Sequence, residues 1–156
     1  MAFFLIYFFN RSHFLFLAKL NTQVFFNAQL SKDRLVARDE TLVLDKVLTN
    51  AGGGYDVTTG VFTAPLTATY LFMATSRADW DSECIKSSQK RAGFKVLLEG
   101  QEIGSSFSMG PTSCTTHVVV RLDAGQRVWV KSNFANSSFR GYGYTSFSGV
   151  LIQPEL

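Results

Sequence analysis

From Val24 onward apolar and polar residues alternate with a period of two, and no stretch holds a helical period past two turns. A strand turns successive side chains to opposite faces, so this pattern encodes half-buried strands and provides no helices for crossovers. Val24, Phe26, Ala28 and Leu30 share one face, with Phe25, Asn27 and Gln29 on the other. The apolar run Leu42-Val43-Leu44 reads as a short strand, and Asn50-Ala51-Gly52-Gly53-Gly54 as a turn. Gly60-Val61-Phe62-Thr63 is extended until Pro65, which has no N–H to give to a ladder. Thr69 to Ser76 alternates with Tyr70 and Phe72 together; Phe94, Val96 and Leu98 share a face before a turn at Glu99-Gly100-Gln101.

Thr115–Leu122 and Arg127–Lys131 read as a hairpin around Asp123-Ala124-Gly125-Gln126. Thr116, Val118, Val120 and Leu122 line one face of its first arm, and Val128 and Val130 line one face of its second. A last strand runs from Tyr144 to Ile152 and stops before Pro154. Many short strands between glycine-rich turns predict an all-β sandwich or barrel, and the missing crossover helices exclude a parallel sheet.

At 156 residues the chain suits one domain with a core of its own, and it shows no internal repeat or second domain. Hydrophobic residues make up 46% and charged residues 17%, which excludes a solvated, disordered tail. Fifteen Lys and Arg face twelve Asp and Glu, and the surplus is scattered; even Lys86–Arg91 is diluted with serines. A nucleic-acid partner is therefore not expected, because no basic stripe with stacking aromatics is present.

The start of the chain divides into an apolar leader, residues 1–18, and a short linker, residues 19–23, ahead of a globular domain at 24–156. Arg11 interrupts the apolar stretch and no basic residue opens it, while Ala18 is suited to cleavage. A degraded secretory signal, a peptide outside the fold and an anchor all stay open. Stable membrane insertion is not expected, since a spanning helix needs about twenty apolar residues without a central charge.

Leu44, Asn50, Tyr55, Phe62, Ala68, Tyr70 and Phe72 keep the spacings of a family signature that runs aromatic, Asn or Asp, large aromatic, Phe, then Gly-x-Tyr-x-Phe. Val24-Phe25-Phe26-Asn27-Ala28 matches that family's opening strand, and Phe147-Ser148-Gly149-Val150-Leu151-Ile152 its closing one. Leu122-Asp123-Ala124-Gly125-Gln126-Arg127-Val128 resembles its strand, acidic turn and return. The chain thus resembles the complement C1q globular domain of the C1q and tumour necrosis factor superfamily, from about Val24 to Leu156. That resemblance implies a ten-stranded jelly-roll β-sandwich forming a homotrimer, secreted and extracellular, with no required cofactor. Leu44 replaces the aromatic and Ala68 the glycine; the extra methyl strains the backbone if the site needs a positive φ. The signature aromatics read as packing, not as ligand contacts.

No catalytic set is present. His117 shares its strand face with Thr115 and Arg121, and no spacing ties a Cys or carboxylate to it. An enzyme is therefore not expected. Two loops are chemically richer. Ser76–Cys84 packs Arg77, Asp79, Trp80, Asp81 and Glu83 together. It suits ligand binding through Arg77, Asp79, Trp80 and Asp81, and Asp79, Asp81 and Glu83 are oxygen donors of the kind that hold calcium. A solvated loop is the alternative.

The second loop, Asn133–Tyr144, offers Arg140 and Tyr142 as polar, amphipathic contacts, against a plain crossover. Asn136-Ser137-Ser138 is a glycosylation sequon, and a sugar on Asn136 would argue against recognition by its immediate neighbours. Cys84 and Cys114 form one bridge in an oxidising compartment or remain two independent thiols. No Gly-x-y run precedes Val24, so a stalkless head is expected. The expected role is a lectin-like recognition module in innate immunity, binding glycans or microbial and self surfaces. The alternative is a cytokine-like or synapse-organiser-like ligand of a receptor protein.

Overall fold

The alternation along the chain resolves into two facing antiparallel sheets in a computed structural model, which describes residues 23–78 and 91–155. In chain order the strands are β1 (Phe25–Gln29), β2 (Arg34–Val36), β3 (Lys46–Ala51), β4 (Tyr55–Asp56), β5 (Val61–Thr63) and β6 (Ala68–Arg77). They continue as β7 (Arg91–Leu98), β8 (Gln101–Met109), β9 (Ser113–Leu122), β10 (Arg127–Ser132), β11 (Ser137–Phe139) and β12 (Ser146–Pro154). One sheet has the order β3-β1-β12-β6-β9, the other β4-β5-β10-β7-β8, and β11 pairs with β2 as a small separate ladder. Ten strands in two sheets of five is the jelly-roll sandwich expected above.

Inward-pointing residues meet between the sheets. Val24, Phe26, Ala28 and Leu30 are all buried, as are Tyr55, Phe62, Tyr70 and Phe72 of the signature. Phe26 sits at the centre of this group, its ring 4.9 Å from Tyr55, 5.1 Å from Phe62 and 5.0 Å from Phe147. Leu44 and Ala68 both pack in the core. Ala68 lies outside the left-handed region, so the strain that a missing glycine would have caused there does not arise.

Three local expectations need correction. Thr115–Leu122 and Arg127–Lys131 are not a hairpin: β9 pairs with β6 in one sheet, and β10 pairs with β5 and β7 in the other. Leu122 and Val128 are both buried, so each arm offers the core an apolar face and the connection arches from sheet to sheet. Backbone bonds Ala64 N to Gln126 O and Gly125 N to Ala64 O, 2.9 and 2.8 Å, hold that arch. Leu42 and Leu44 are buried but lie before β3, which takes in Asn50 and Ala51 from the expected turn. The last strand starts at Ser146, two residues late, and carries its pairing through to Pro154, opposite Ala68.

Leu44 leaves the ladder because Tyr55 supplies its hydrogen bonds. The Tyr55 hydroxyl accepts from Leu44 N at 3.3 Å and donates to Leu44 O at 3.2 Å. Burial pushes the phenol up to about 12, because the charged form would lose its water. Replacing Tyr55 with Phe strands two buried backbone groups, each costing about 1–3 kcal/mol when unpaired. Urea unfolding at neutral pH is expected to show a loss of about 2 kcal/mol or more; an unchanged midpoint would mean that the backbone finds other partners.

Candidate ligand-binding site

The two ends of the sandwich differ in chemistry. Pro154 pairs with Ala68, and Leu151 N bonds Val24 O, so the first and last described strands leave the fold at the Ala68 end of β6. Arg77 is the last residue of β6 and therefore lies at the other end. Arg91 opens β7 opposite Met109, and the turn Gly110-Pro111-Thr112 connects Met109 to Ser113, which pairs with Arg77. Both arginines thus belong to the end away from Val24 and Pro154.

The segment 133–144 folds back onto this end. It is more than the loop its sequence suggests: Ser137–Phe139 forms β11, fully buried against β2. The bridge between Ala78 and Phe139 and the bond from Arg140 N to Arg77 O, 2.9 Å, tie it to the end of β6. Tyr144 then contacts two cations: the Arg77 and Arg140 guanidinium carbons are each 5.0 Å from its ring centre. A cation over an aromatic face is attracted by the ring quadrupole. Arg91 makes a similar contact, 4.7 Å from the Phe134 ring.

Tyr142 is held at φ 55 and is 71% exposed, a bulky residue in a backbone region that few such residues adopt. Its neighbour Gly141 is fixed by a bond from its N–H to Asp33 Oδ1 at 2.8 Å. Such local strain persists only where surrounding structure over-determines it, and it is frequent at binding sites.

Of the candidate residues, Arg77, Arg140 and Tyr142 come together at one end of the fold. Tyr144, the ring that joins the two arginines, and Arg91 were missed; the run Arg140-Gly141-Tyr142-Gly143-Tyr144 was the available signal. Asp79, Trp80, Asp81, Glu83 and Cys84 lie outside the described residues, as does any bridge from Cys84 to Cys114. The Cys114 sulfur is 3.2 Å from the Ser76 hydroxyl. Asn136 is exposed in a turn at φ 55. Among the described residues no three His, Cys, Asp or Glu side chains converge as a metal site. His117 is exposed on β9, facing Met73 across the sheet.

The C1q domain family profile matches residues 25–152, most of the chain and the whole sandwich. The chain belongs to the C1q domain family. It is 33% identical over 110 residues to complement C1q tumor necrosis factor-related protein 5 of Rattus norvegicus, covering 68% of this chain and 42% of that relative. It is 26% identical over 141 residues to a complement C1q subcomponent of Homo sapiens, covering 88% of this chain and 53% of the other. The chain therefore spans about half the length of the curated relatives it matches.

Among solved structures, the globular domain of zebrafish complement 1qA superposes with a TM-score of 0.65 at 14% identity, covering 85% of this chain and 99% of that one. The Eiger TNF of S. frugiperda superposes with a TM-score of 0.70 at 12% identity, covering 87% and 96%. Both share the fold. The matched region, residues 25–152, is a non-enzymatic C1q domain.

Proposed function

We propose that this C1q domain is a secreted, extracellular recognition module that assembles as a homotrimer and binds glycans on microbial or self surfaces, with a role in innate defence. The observation that carries the recognition reading is the Arg77, Arg140, Tyr142 and Tyr144 cluster at the end opposite Val24 and Pro154. Partly exposed arginines and tyrosines are favoured at recognition surfaces, since they combine broad contact area with directed donors. Cation, aromatic ring and strained backbone together fit a site for a ligand better than a surface for solvent alone.

The trimer is supported by the outward face of the first sheet. Ala51, Phe25, Val150, Leu71 and Val119 stand in register across all five of its strands and form one apolar row. Val150 is 36% exposed and Val119 64%. A continuous apolar row on an outer sheet face is costly in water and gains on burial against a second copy of the chain. Three joined heads also raise the affinity of a weak single site through effective concentration.

Light scattering on the purified chain is expected to give three times the chain mass at micromolar concentration. A panel of neutral and acidic glycans is expected to contain at least one saturable ligand. A monomer in the first measurement sinks the assembly. No glycan bound, with saturable binding to one membrane protein, replaces the reading with that of a receptor ligand.

A further inference from the structure

One motif of the sequence takes no part in the ligand-binding cluster, the sequon Asn136-Ser137-Ser138. The fold places its asparagine in a tight turn between β10 and β11. The Ser132 and Ser137 hydroxyls both donate to Phe134 O, at 3.0 and 3.1 Å, and fasten the turn at its base. Asn136 is exposed at a φ of 55, a backbone region that suits asparagine better than most residues. Ser137 and Ser138 are both buried, paired in β11 with Val36 and Leu35 of β2. The residue that accepts a sugar in this motif is thus on the surface, while the hydroxyl two residues on is closed inside.

The turn also has a definite side of the sandwich. Ala92 and Phe94 of β7 are buried in the core, so Gly93 between them turns outward. A Cβ on Gly93 would lie 2.4 Å from the Phe134 ring, which places that ring, and the turn with it, on the outer face of the second sheet. The apolar row from Ala51 to Val119 belongs to the outer face of the first sheet, on the opposite side. A sugar on Asn136 therefore leaves the proposed subunit contact uncovered. Its nearest apolar neighbours are Phe134, two residues earlier in the chain, and Phe107, which meets the Phe134 ring edge-on at 5.9 Å and is 59% exposed. The C–H face of a sugar packs on such rings.

We infer that Asn136 carries an N-linked glycan, added before β11 closes against β2, that stands over Phe107 and Phe134 on the outer face of the second sheet. In the transfer, Asn136 Nδ2 attacks the anomeric carbon of a lipid-diphosphate-linked oligosaccharide. The N–C bond forms, the C–O bond to the diphosphate breaks, the amide gives up one proton and the lipid diphosphate departs. The transferase reads the hydroxyl at the third position of the motif, here Ser138. Because Ser138 is buried in the folded domain, that hydroxyl is within reach only while the chain is still unfolded. The inference rests on the secreted reading above, since the donor and the transferase belong to the secretory pathway.

The test expresses the full chain in cultured insect cells and weighs the secreted protein before and after an amidase that removes N-glycans. A loss of mass matching a single glycan is expected, with Asn136 converted to Asp in the peptide that contains it. N136D, which keeps a side chain tolerant of the left-handed backbone, and S138A, which leaves Asn136 in place, are each expected to abolish the loss. N10Q removes the sequon Asn10-Arg11-Ser12 and is expected to leave it intact. N136D is also expected to bind severalfold more of an apolar dye than the parent, at the same oligomeric mass. A secreted protein that loses no mass, or whose loss is abolished by N10Q and not by N136D, overturns the site. Equal dye binding overturns the cover over the two rings. A chain that stays in the cytosol removes the secreted reading instead. The same chain behind a foreign signal sequence then tests the site, and its release without a sugar overturns it.

Discussion

Replacing Phe26 with Ala is expected to remove about 3–5 kcal/mol from the stability of the domain, a large share of the roughly 5–15 kcal/mol that holds such a fold together. Phe26 is 2% exposed, and its ring touches both sheets: it stacks on Tyr55 and Phe62 and meets Phe147 edge-on. It also fills the space above Gly149, its partner across the ladder, where an added Cβ would lie 2.4 Å from the ring. No neighbour can swing in to fill the void, because the surrounding rings are already packed on one another at 5.3 to 5.8 Å. Urea unfolding at matched protein concentration measures the effect, since linked assembly makes apparent stability concentration-dependent. A loss below about 1 kcal/mol would mean that the core is looser than this packing implies.

The second large effect concerns Gly141. A Cβ at this position would lie 2.2 Å from the Lys32 carbonyl carbon, 2.5 Å from its Cα and 2.5 Å from its oxygen. All three are backbone atoms, so no side chain can rotate away and the two segments must part. Gly141→Ala is expected to cost about 1–3 kcal/mol or more through overpacking. It should also break the Gly141–Asp33 bond and displace Arg140 and Tyr142 on either side. The variant is therefore expected to lose ligand binding beyond what its lowered melting temperature explains. Full stability together with full binding would show that the segment at Lys32 gives way without consequence.

Much of the sandwich was legible in the sequence because its determinants are local. The alternation Val24, Phe26, Ala28, Leu30 needs only a period of two to point into the core, and all four are buried. The signature from Leu44 to Phe72 is a chain of packing contacts whose spacing survives in linear form. Pairing was not legible in the same way. Val118–Leu122 and Val128–Val130 have the pattern of a hairpin, yet both inner faces are apolar and the short connection is as able to arch between sheets as to turn within one. Tyr55 explains the other error: Leu42 still bonds Val130 of β10, but the Tyr55 side chain takes over the hydrogen bonds of Leu44, so the buried run does not extend as a strand.

The site divides similarly. Arg77, Arg140 and Tyr142 stood out by chemical type, but 62 intervening residues separate Arg77 from Arg140 in the chain. Their meeting depends on β12 returning beside β6 and on β11 closing over the end of the barrel-like pair of sheets. Tyr144 joins them only through that non-local geometry. Arg91 belongs to the same end for a reason no linear pattern carries, the pairing of Arg91 with Met109 and of Arg77 with Ser113.

The placement of both chain exits at the Ala68 end gives the domain a built-in orientation. The described chain enters the sandwich at Val24 and leaves it at Pro154, both on the side remote from Arg77 and Arg140. A head gripped at those two points would turn the same arginines outward every time.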